Sequence, residues 1–305
     1  MFKKILFATT ASPACDAAAK VAFDLAAKFN ASLNVFHVFG YPSRGYSPFA
    51  VDVRTGEEVV VEPDYLAWVE EEMKNTYSAQ MVGNKNITIR TQVGQPHTEI
   101  LKTARKEDVD LIVMGSNTRE DDIGATRFRQ IAGSTMEKVV RSARCPVLIV
   151  SRPCRTCTQY FSNIILGTDF SGPSYFAFLF AAKMARAIGS RLYIFHALDI
   201  RQDVDSVPNQ EEIEMQILKA RKKMQDIYIP KLAGFNNYEF VVWEGIPYVE
   251  ILKYTREKQG DLIIMAHHTR EGDPEKTLLG ATVEQVVLRS ACPVISINRP
   301  EKLDA

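Results

Sequence analysis

Each half of the chain contains a glycine followed by small or hydroxyl residues at the predicted start of a helix. In the first half this step is Gly133-Ser134-Thr135, and in the second half it is Gly280-Ala281-Thr282. The N-terminus of a helix offers unpaired N–H groups and the positive end of the helix dipole, which together favour phosphate. Ser134 and Glu137 also form a Ser-x-x-Glu capping box, which needs no ligand. Both interpretations stay open from these residues alone.

Cysteine and histidine pairs are the next candidates for chemistry. Cys154 and Cys157 form a Cys-x-x-Cys pair, which provides two of the four ligands of a zinc site or a redox couple and also occurs without either role. His267 and His268 are adjacent, and neighbours on a strand point to opposite faces, so they do not predict a shared metal ion. We therefore predict no metal site, with Cys154 and Cys157 as the one alternative.

No residue pattern indicates catalysis, and the composition narrows the function further. The sequence contains no His-x-x-x-His spacing and no Gly-x-x-x-x-Gly-Lys-Ser/Thr loop. Among 305 residues, 37 basic side chains balance 37 acidic ones. A neutral chain is not typical of proteins that bind nucleic acid or anionic membranes, so neither is an expected partner. Five cysteines do not make a disulfide scaffold, so we expect a reducing, cytoplasmic location.

Apolar segments are too short to cross a membrane. No run reaches the roughly 18 residues that a membrane-spanning helix needs. The first eight residues, followed by Cys15, are similar to a short lipoprotein signal, but a matching segment recurs in mid-chain at Asn163–Leu166. Both segments are therefore predicted to be buried strands.

The chain is an internal duplication. Glu99-Ile100-Leu101-Lys102 recurs as Glu250-Ile251-Leu252-Lys253, at a residue-number offset of 151. A period of this length indicates two similar domains, which we place at 1–151 and 160–300. Ile5-Leu6 aligns with Ile165-Leu166 at an offset of 160, which places Thr9 opposite Asp169.

Short Val/Ile/Leu-rich runs alternate with helical patterns in both halves. Such alternation predicts an α/β fold, with two tandem open doubly wound parallel sheets. The predicted strands are 4–9, 32–38, 88–93, 111–114 and 147–150, then 163–168, 191–197, 239–243, 262–265 and 294–297. The predicted helices are 13–30, 64–83 and 134–142, then 173–189, 209–233 and 281–290, with one more after Pro96 and after Pro247. Residues 51–61 alternate in polarity and predict a hairpin that only the first half has.

Ligands in such sheets bind beyond the carboxyl ends of the strands. Two segments of each half lie there, the turn after the first strand and the loop after the fourth. His37 and His196 occupy equivalent places near the end of the second strand, which favours packing or lining of a site.

These segments resemble those of a tandem universal stress protein. The resemblance covers both halves and rests on the first-strand start, on Met114-Gly115-Ser116, on the Gly-Ser/Thr helix start and on the ending Val139–Val147. It implies the doubly wound fold of adenine-nucleotide-binding proteins and pairing of the last strands, 146–150 and 293–297, between the two copies. It also implies that ATP is the ligand, that Mg²⁺ arrives only with the nucleotide, and that the chain forms homodimers.

The nucleotide-binding members of that family carry an Asp after the first strand and a Gly-x2-Gly-x9-Gly-Ser/Thr loop. The second half has the acid, Asp169, whereas the first half has Thr9. Thr118 replaces the second loop glycine of the first half, and its loop is five residues too long. The second half has nearly the right spacing but lacks two of the glycines, at Ala266 and Thr269. We therefore rank the second half as the better nucleotide site.

The predicted binding residues follow from this carry-over. In the second half they are Thr168, Asp169, Ala197, Ala266, His268, Thr269, Arg270, Gly280, Ala281 and Thr282. In the first half they are Thr9, Val38, Gly115, Thr118, Gly133, Ser134 and Thr135. We expect a cytoplasmic stress-response protein that binds an adenine nucleotide as a ligand, with slow ATP hydrolysis left open. The alternatives are a nucleotide-free interaction protein and a metal- or redox-responsive protein that uses Cys154 and Cys157.

Overall fold

The chain divides into two units, Met1–Ser151 and Arg152–Ala305. The structure, a computed structural model, describes residues 1–40, 49–51, 58–60, 62–83, 86–116, 135–153, 161–199, 209–267 and 281–298. Several predicted residues lie outside this part: Thr118, Gly133, Ser134, Cys154, Cys157, His268, Thr269, Arg270 and Gly280.

The first unit is an open parallel sheet in the order β7-β6-β1-β2-β5. Its elements are β1 (Lys4–Ala8), α1 (Asp16–Phe29), β2 (Ser32–Phe39), β3 (Phe49–Val51), β4 (Glu58–Val60), α2 (Pro63–Thr76), α3 (Ser78–Met81), β5 (Ile87–Val93), α4 (Pro96–Lys106), β6 (Leu111–Gly115), α5 (Thr135–Ser142) and β7 (Val147–Val150). Strands β3 and β4 form a separate antiparallel pair. They lie where the hairpin is predicted, and residues 52–57 between them are outside the described part.

The second unit repeats this plan, with the parallel order β12-β11-β8-β9-β10. Its elements are β8 (Asn163–Gly167), α6 (Gly172–Ile188), β9 (Arg191–Leu198), α7 (Gln210–Tyr228), β10 (Tyr238–Glu244), α8 (Pro247–Glu257), β11 (Leu262–Ala266), α9 (Ala281–Arg289) and β12 (Val294–Ile297). The predicted α/β fold with two parallel-sheet domains is confirmed.

The central strands are apolar at every position because both of their faces are covered. In β6 the side chains of Leu111–Met114 are all buried, and so are those of Leu262–Met265 in β11. A strand that faced water on one side would alternate with polar residues. Burial on both faces is what makes these segments continuous apolar runs in the sequence.

Both long helices end earlier than the sequence pattern predicts. The predicted helix 64–83 breaks at Tyr77, whose side chain is 1% exposed and whose hydroxyl bonds Thr9. The predicted helix 209–233 ends at Tyr228 and continues only as a short 3-10 turn, Ile229–Lys231. Pro230 lies in that turn and has no N–H to continue an α-helix.

Within the described ranges, no helix has both the length and the apolar composition that a membrane span requires.

Candidate functional site

A cavity of about 480 Å³ opens at the carboxyl ends of the second unit's strands. Five of the predicted residues line it: Thr168, Asp169, Ala197, Ala266 and Thr282. His196, which is predicted only to pack or to line a site, also lines the cavity. The remaining lining residues are not predicted from the sequence: Gly167, Ser174, Phe195, Leu198, Asp199, Pro247, Ile251, Met265 and Val283. The cavity therefore lies where an open parallel sheet is expected to bind ligands.

The register of three neighbouring strands places residues of the cavity wall side by side. Gly167 at the end of β8 pairs with Phe195 of β9 on one side and with Met265 of β11 on the other. A Cβ atom on Gly167 would lie 2.8 Å from Cδ1 of Ile251 on α8. The glycine thus lets α8 approach the strand end, and the apolar side chains of Phe195, Ile251 and Met265 form a wall suited to a flat, apolar ring.

Asp169 is the exposed acid at the mouth of this cavity. Its Oδ1 accepts hydrogen bonds from the backbone N–H of Ser171 at 3.0 Å and from the Ser171 hydroxyl at 2.6 Å. These bonds fix the carboxylate relative to the start of α6. A second carboxylate, that of Asp199, lines the same cavity just after β9. Among the described residues that line the cavity, two are carboxylates and none is Lys or Arg, so this part of the rim is a set of hydrogen-bond acceptors.

A buried hydroxyl network holds the turn that carries Asp169. Thr168 Oγ1 lies 2.5 Å from the hydroxyl of Tyr228 and 3.1 Å from that of Ser174. Burial raises the pKa of Tyr228, so its hydroxyl stays protonated. Phe170 follows with φ of +65°, and its N–H donates to Thr168 Oγ1. Thr168 and Phe170, the two residues that flank Asp169, are therefore both held by hydrogen bonds.

His196 presents a neutral imidazole to the cavity. Its Nδ1 lies 2.8 Å from the carbonyl oxygen of Thr168, and since a carbonyl only accepts, Nδ1 carries the proton. Burial lowers the pKa of His196, and the positive charge of Lys223 lowers it further, against the opposing effects of that hydrogen bond and of Asp169. The neutral ring leaves Nε2 as one more acceptor in the site.

The first unit repeats the scaffold of this turn. Thr9 Oγ1 bonds the Tyr77 hydroxyl at 2.8 Å, as Thr168 bonds Tyr228. His37 Nδ1 donates to the carbonyl oxygen of Thr9 at 2.9 Å, as His196 does to Thr168. The next residue but one has positive φ in both units, +55° at Ala11 and +65° at Phe170.

These matches correct the predicted alignment by one residue. Thr9 corresponds to Thr168, so the residue opposite Asp169 is Thr10 and not Thr9. Ile5-Leu6 and Ile165-Leu166 are identical in sequence but not equivalent in the structure, because Ile5 corresponds to Ile164. A single offset of 159 then holds from β1 through β2.

The first unit's predicted residues form a different environment. Val38 is 6% exposed and stands where the smaller Ala197 lines the second cavity. Thr10 and Gly40 take the places of the two carboxylates, Asp169 and Asp199. Gly115 ends β6 and Thr135 begins α5, so both lie at the expected edge of the sheet. The first unit therefore lacks the two carboxylates that distinguish the second cavity.

Cysteines of the described part are packing residues. Cys15, Cys145 and Cys292 are buried free thiols. Burial raises the pKa of Cys292 to about 12, which keeps it protonated and unreactive. Over the described ranges there is no group of three or more His, Cys, Asp or Glu residues that could hold a metal ion. Cys154 and Cys157 are not part of those ranges.

Comparison with known proteins gives a consistent result. The universal stress protein family model matches residues 1–151 and again 161–298. A universal stress protein of Methanocaldococcus jannaschii is 31% identical over 177 residues, which cover 55% of this chain and 99% of that protein. The crystal structure of a universal stress protein from Archaeoglobus fulgidus is similar over 97% of this chain and 96% of its own, with a TM-score of 0.66 and 20% identity. A Pseudomonas aeruginosa structure, described as a putative universal stress protein, covers 99% of this chain and 95% of its own, with a TM-score of 0.63 and 18% identity.

Proposed function

The chain belongs to the universal stress protein family, with two copies of the family domain in one polypeptide, and on that premise we propose that it binds an adenine nucleotide in the cavity of its second unit. The nucleotide acts as a ligand in a stress-response protein, and ATP is the first candidate. The observation that carries the proposal is the cavity of about 480 Å³ with Asp169 at its mouth.

The chemistry of the cavity suits a nucleoside. Phe195, Ile251 and Met265 offer an apolar wall for a purine ring. The carboxylates of Asp169 and Asp199 accept hydrogen bonds from ribose hydroxyls, and a neutral His196 accepts from an exocyclic amine. Guanine has a carbonyl where adenine has its amine, so acceptors at that place favour adenine.

The phosphates are expected beside α9. This helix begins at Ala281, and Thr282 in its first turn lines the cavity. Free N–H groups and the helix dipole favour an anion there. Mg²⁺ would arrive with the nucleotide, held by its phosphates.

Isothermal titration of the full chain, freed of bound nucleotide, tests the proposal. We expect one ATP site per chain, weaker binding of GTP, and a loss of about 10- to 100-fold in ATP affinity for Asp169→Ala, the equivalent of a charge-assisted hydrogen bond of about 1.5–3 kcal/mol. Thr10→Ala is the matched control in the first unit and should leave the affinity unchanged. Two equal sites, no site, or an Asp169→Ala variant that binds as well as the original chain would contradict it.

A further inference from the structure

Helix α7 exposes apolar side chains on one face. Met215 and Leu218 are 66% and 64% exposed, although they lie in the middle of a 19-residue helix. Glu211, Glu214, Arg221 and Lys222 share this face, because residues spaced by three, four and seven positions align along a helix. We call these six residues the α7 face.

Charge on the α7 face changes sign along the helix. Glu211 and Glu214 lie on the N-terminal side of Leu218, and Arg221 and Lys222 lie on its C-terminal side. Arg221 lies seven positions after Glu214, which is about 10 Å along the axis and too far for an ion pair within the helix. All four charged side chains are exposed, and among the described residues none of them forms an ion pair.

A pattern that is acidic, then apolar, then basic is complementary to itself in the reverse direction. We propose that the α7 face binds the α7 face of a second copy of this chain, antiparallel, about a two-fold axis at Leu218. In that arrangement the two Leu218 side chains meet, Glu214 faces Arg221 of the other copy, and Met215 packs on the aliphatic stem of Lys222 of the other copy. Each contact occurs twice, as in any isologous interface.

The first unit provides an internal control for this surface. At the offset of 151 that matches Tyr228 with Tyr77, the residues of α2 opposite Met215 and Leu218 are Asp64 and Ala67. The residues opposite Arg221 and Lys222 are Glu70 and Glu71. The residues opposite Glu211 and Glu214 are Val60 and Pro63, so the matching positions of the first unit hold no basic residue and are not complementary to themselves. The proposal therefore concerns α7 and not the duplicated fold in general.

Sedimentation velocity of the full chain across a range of concentrations measures the association. Leu218→Glu places two like charges at the axis, so the dissociation constant of this contact should rise about 100-fold. Ala67→Glu, at the matching position of α2, should change nothing. Since both positions are exposed, circular dichroism should show that each variant is folded. Higher salt should also weaken the contact, because its flanking ion pairs are screened.

A charge swap tests the direction of pairing. Glu214→Arg and Arg221→Glu each place like charges opposite one another, so each single variant should weaken association about tenfold. The double variant restores opposite charges and should associate as the original chain does. The proposal is overturned if the chain shows no association, if Leu218→Glu associates as strongly as the original, or if the double swap stays as weak as the single variants.

Discussion

The turns after β1 and β8 have the same framework but different chemistry. In both, a threonine bonds a buried tyrosine hydroxyl, a histidine donates to the threonine carbonyl, and a left-handed residue follows. The side chain between these fixed points is Thr10 in the first unit and Asp169 in the second. The shared hydrogen bonds define the backbone of the turn in both units. The side chain that would contact a ligand differs between them.

The neighbouring residues differ in the same sense. Ala197 of the second unit is smaller than Val38, its counterpart in the first unit, and leaves more room in the cavity. Asp199 adds a hydrogen-bond acceptor where the first unit has Gly40. The ring centroids of Phe170 and His196 lie 4.4 Å apart, whereas Ala11, at the matching position of the first unit, has no ring. A duplicated fold can therefore carry two environments that differ by a few side chains at one sheet edge.

Filling the cavity should have the largest effect. Ala197→Phe places a ring where the nucleotide is proposed to lie, so ATP affinity should fall by more than about 100-fold, since a clash excludes the ligand rather than weakening one contact. Ala197→Val copies Val38 of the first unit and should give an intermediate loss. Titration calorimetry measures both, and an unchanged affinity for Ala197→Phe would place the ligand elsewhere.

Removing the tyrosine hydroxyl should affect the two units unequally. In Tyr77→Phe the hydroxyl of Thr9 loses its tyrosine partner, and unfolding of the first unit should become easier by about 1–3 kcal/mol. In Tyr228→Phe the hydroxyl of Thr168 keeps Ser174 as a partner, so the second unit should lose about 1 kcal/mol or less.

The two tryptophans separate these effects, because Trp68 lies in the first unit and Trp243 in the second. Denaturant unfolding followed by fluorescence in single-tryptophan variants gives each unit its own transition. Equal losses in the two units would show that Ser174 does not compensate for the missing hydroxyl.

The hydrogen bond that orients the Asp169 carboxylate should contribute less to ATP affinity than the carboxylate itself. Ser171→Ala removes the 2.6 Å hydrogen bond to the carboxylate but leaves the bond from the Ser171 backbone N–H. ATP affinity should fall by about tenfold or less, a cost of about 1 kcal/mol. Ser12 bonds Thr10 in the first unit, so Ser12→Ala is the control and should bind ATP normally. A loss as large as that of Asp169→Ala would show that the orientation of the carboxylate matters as much as its charge.

The smallest expected effect is the pH dependence from His196. Because burial lowers its pKa from 6.5, the unfolded chain binds this proton more readily than the folded one. The stabilising contribution is therefore complete above about pH 6.5 and is lost as the pH falls through the lowered pKa. His196→Gln removes this titration, so its unfolding free energy should fall less between pH 7.5 and pH 5.5 than that of the original chain. Identical pH profiles would assign the dependence to other groups, His97 among them.

The strands were predictable because their signal is local. Segments such as Leu262–Met265 are continuous apolar runs, and the structure places strands there. The family resemblance singled out Asp169, and the structure shows that it lines the cavity, while its role in binding stays a prediction. The one-residue error at Thr9 arose because identity of two apolar residues cannot define register, whereas the hydrogen bonds of Tyr77 and Tyr228 do. Ser174 and Ile251 reach the cavity from helices, and only tertiary packing reveals that.

The left-handed backbone at Ala11 has a consequence for how this protein can change. A residue with positive φ is costly for any side chain except glycine, by about 1–2 kcal/mol, and the first unit already bears that cost. Its main chain is bent as the second unit's is, with Thr10 at the same point and Ser12 beside it. An acid could therefore be installed at Thr10 by replacing a side chain, with no rearrangement of the chain around it.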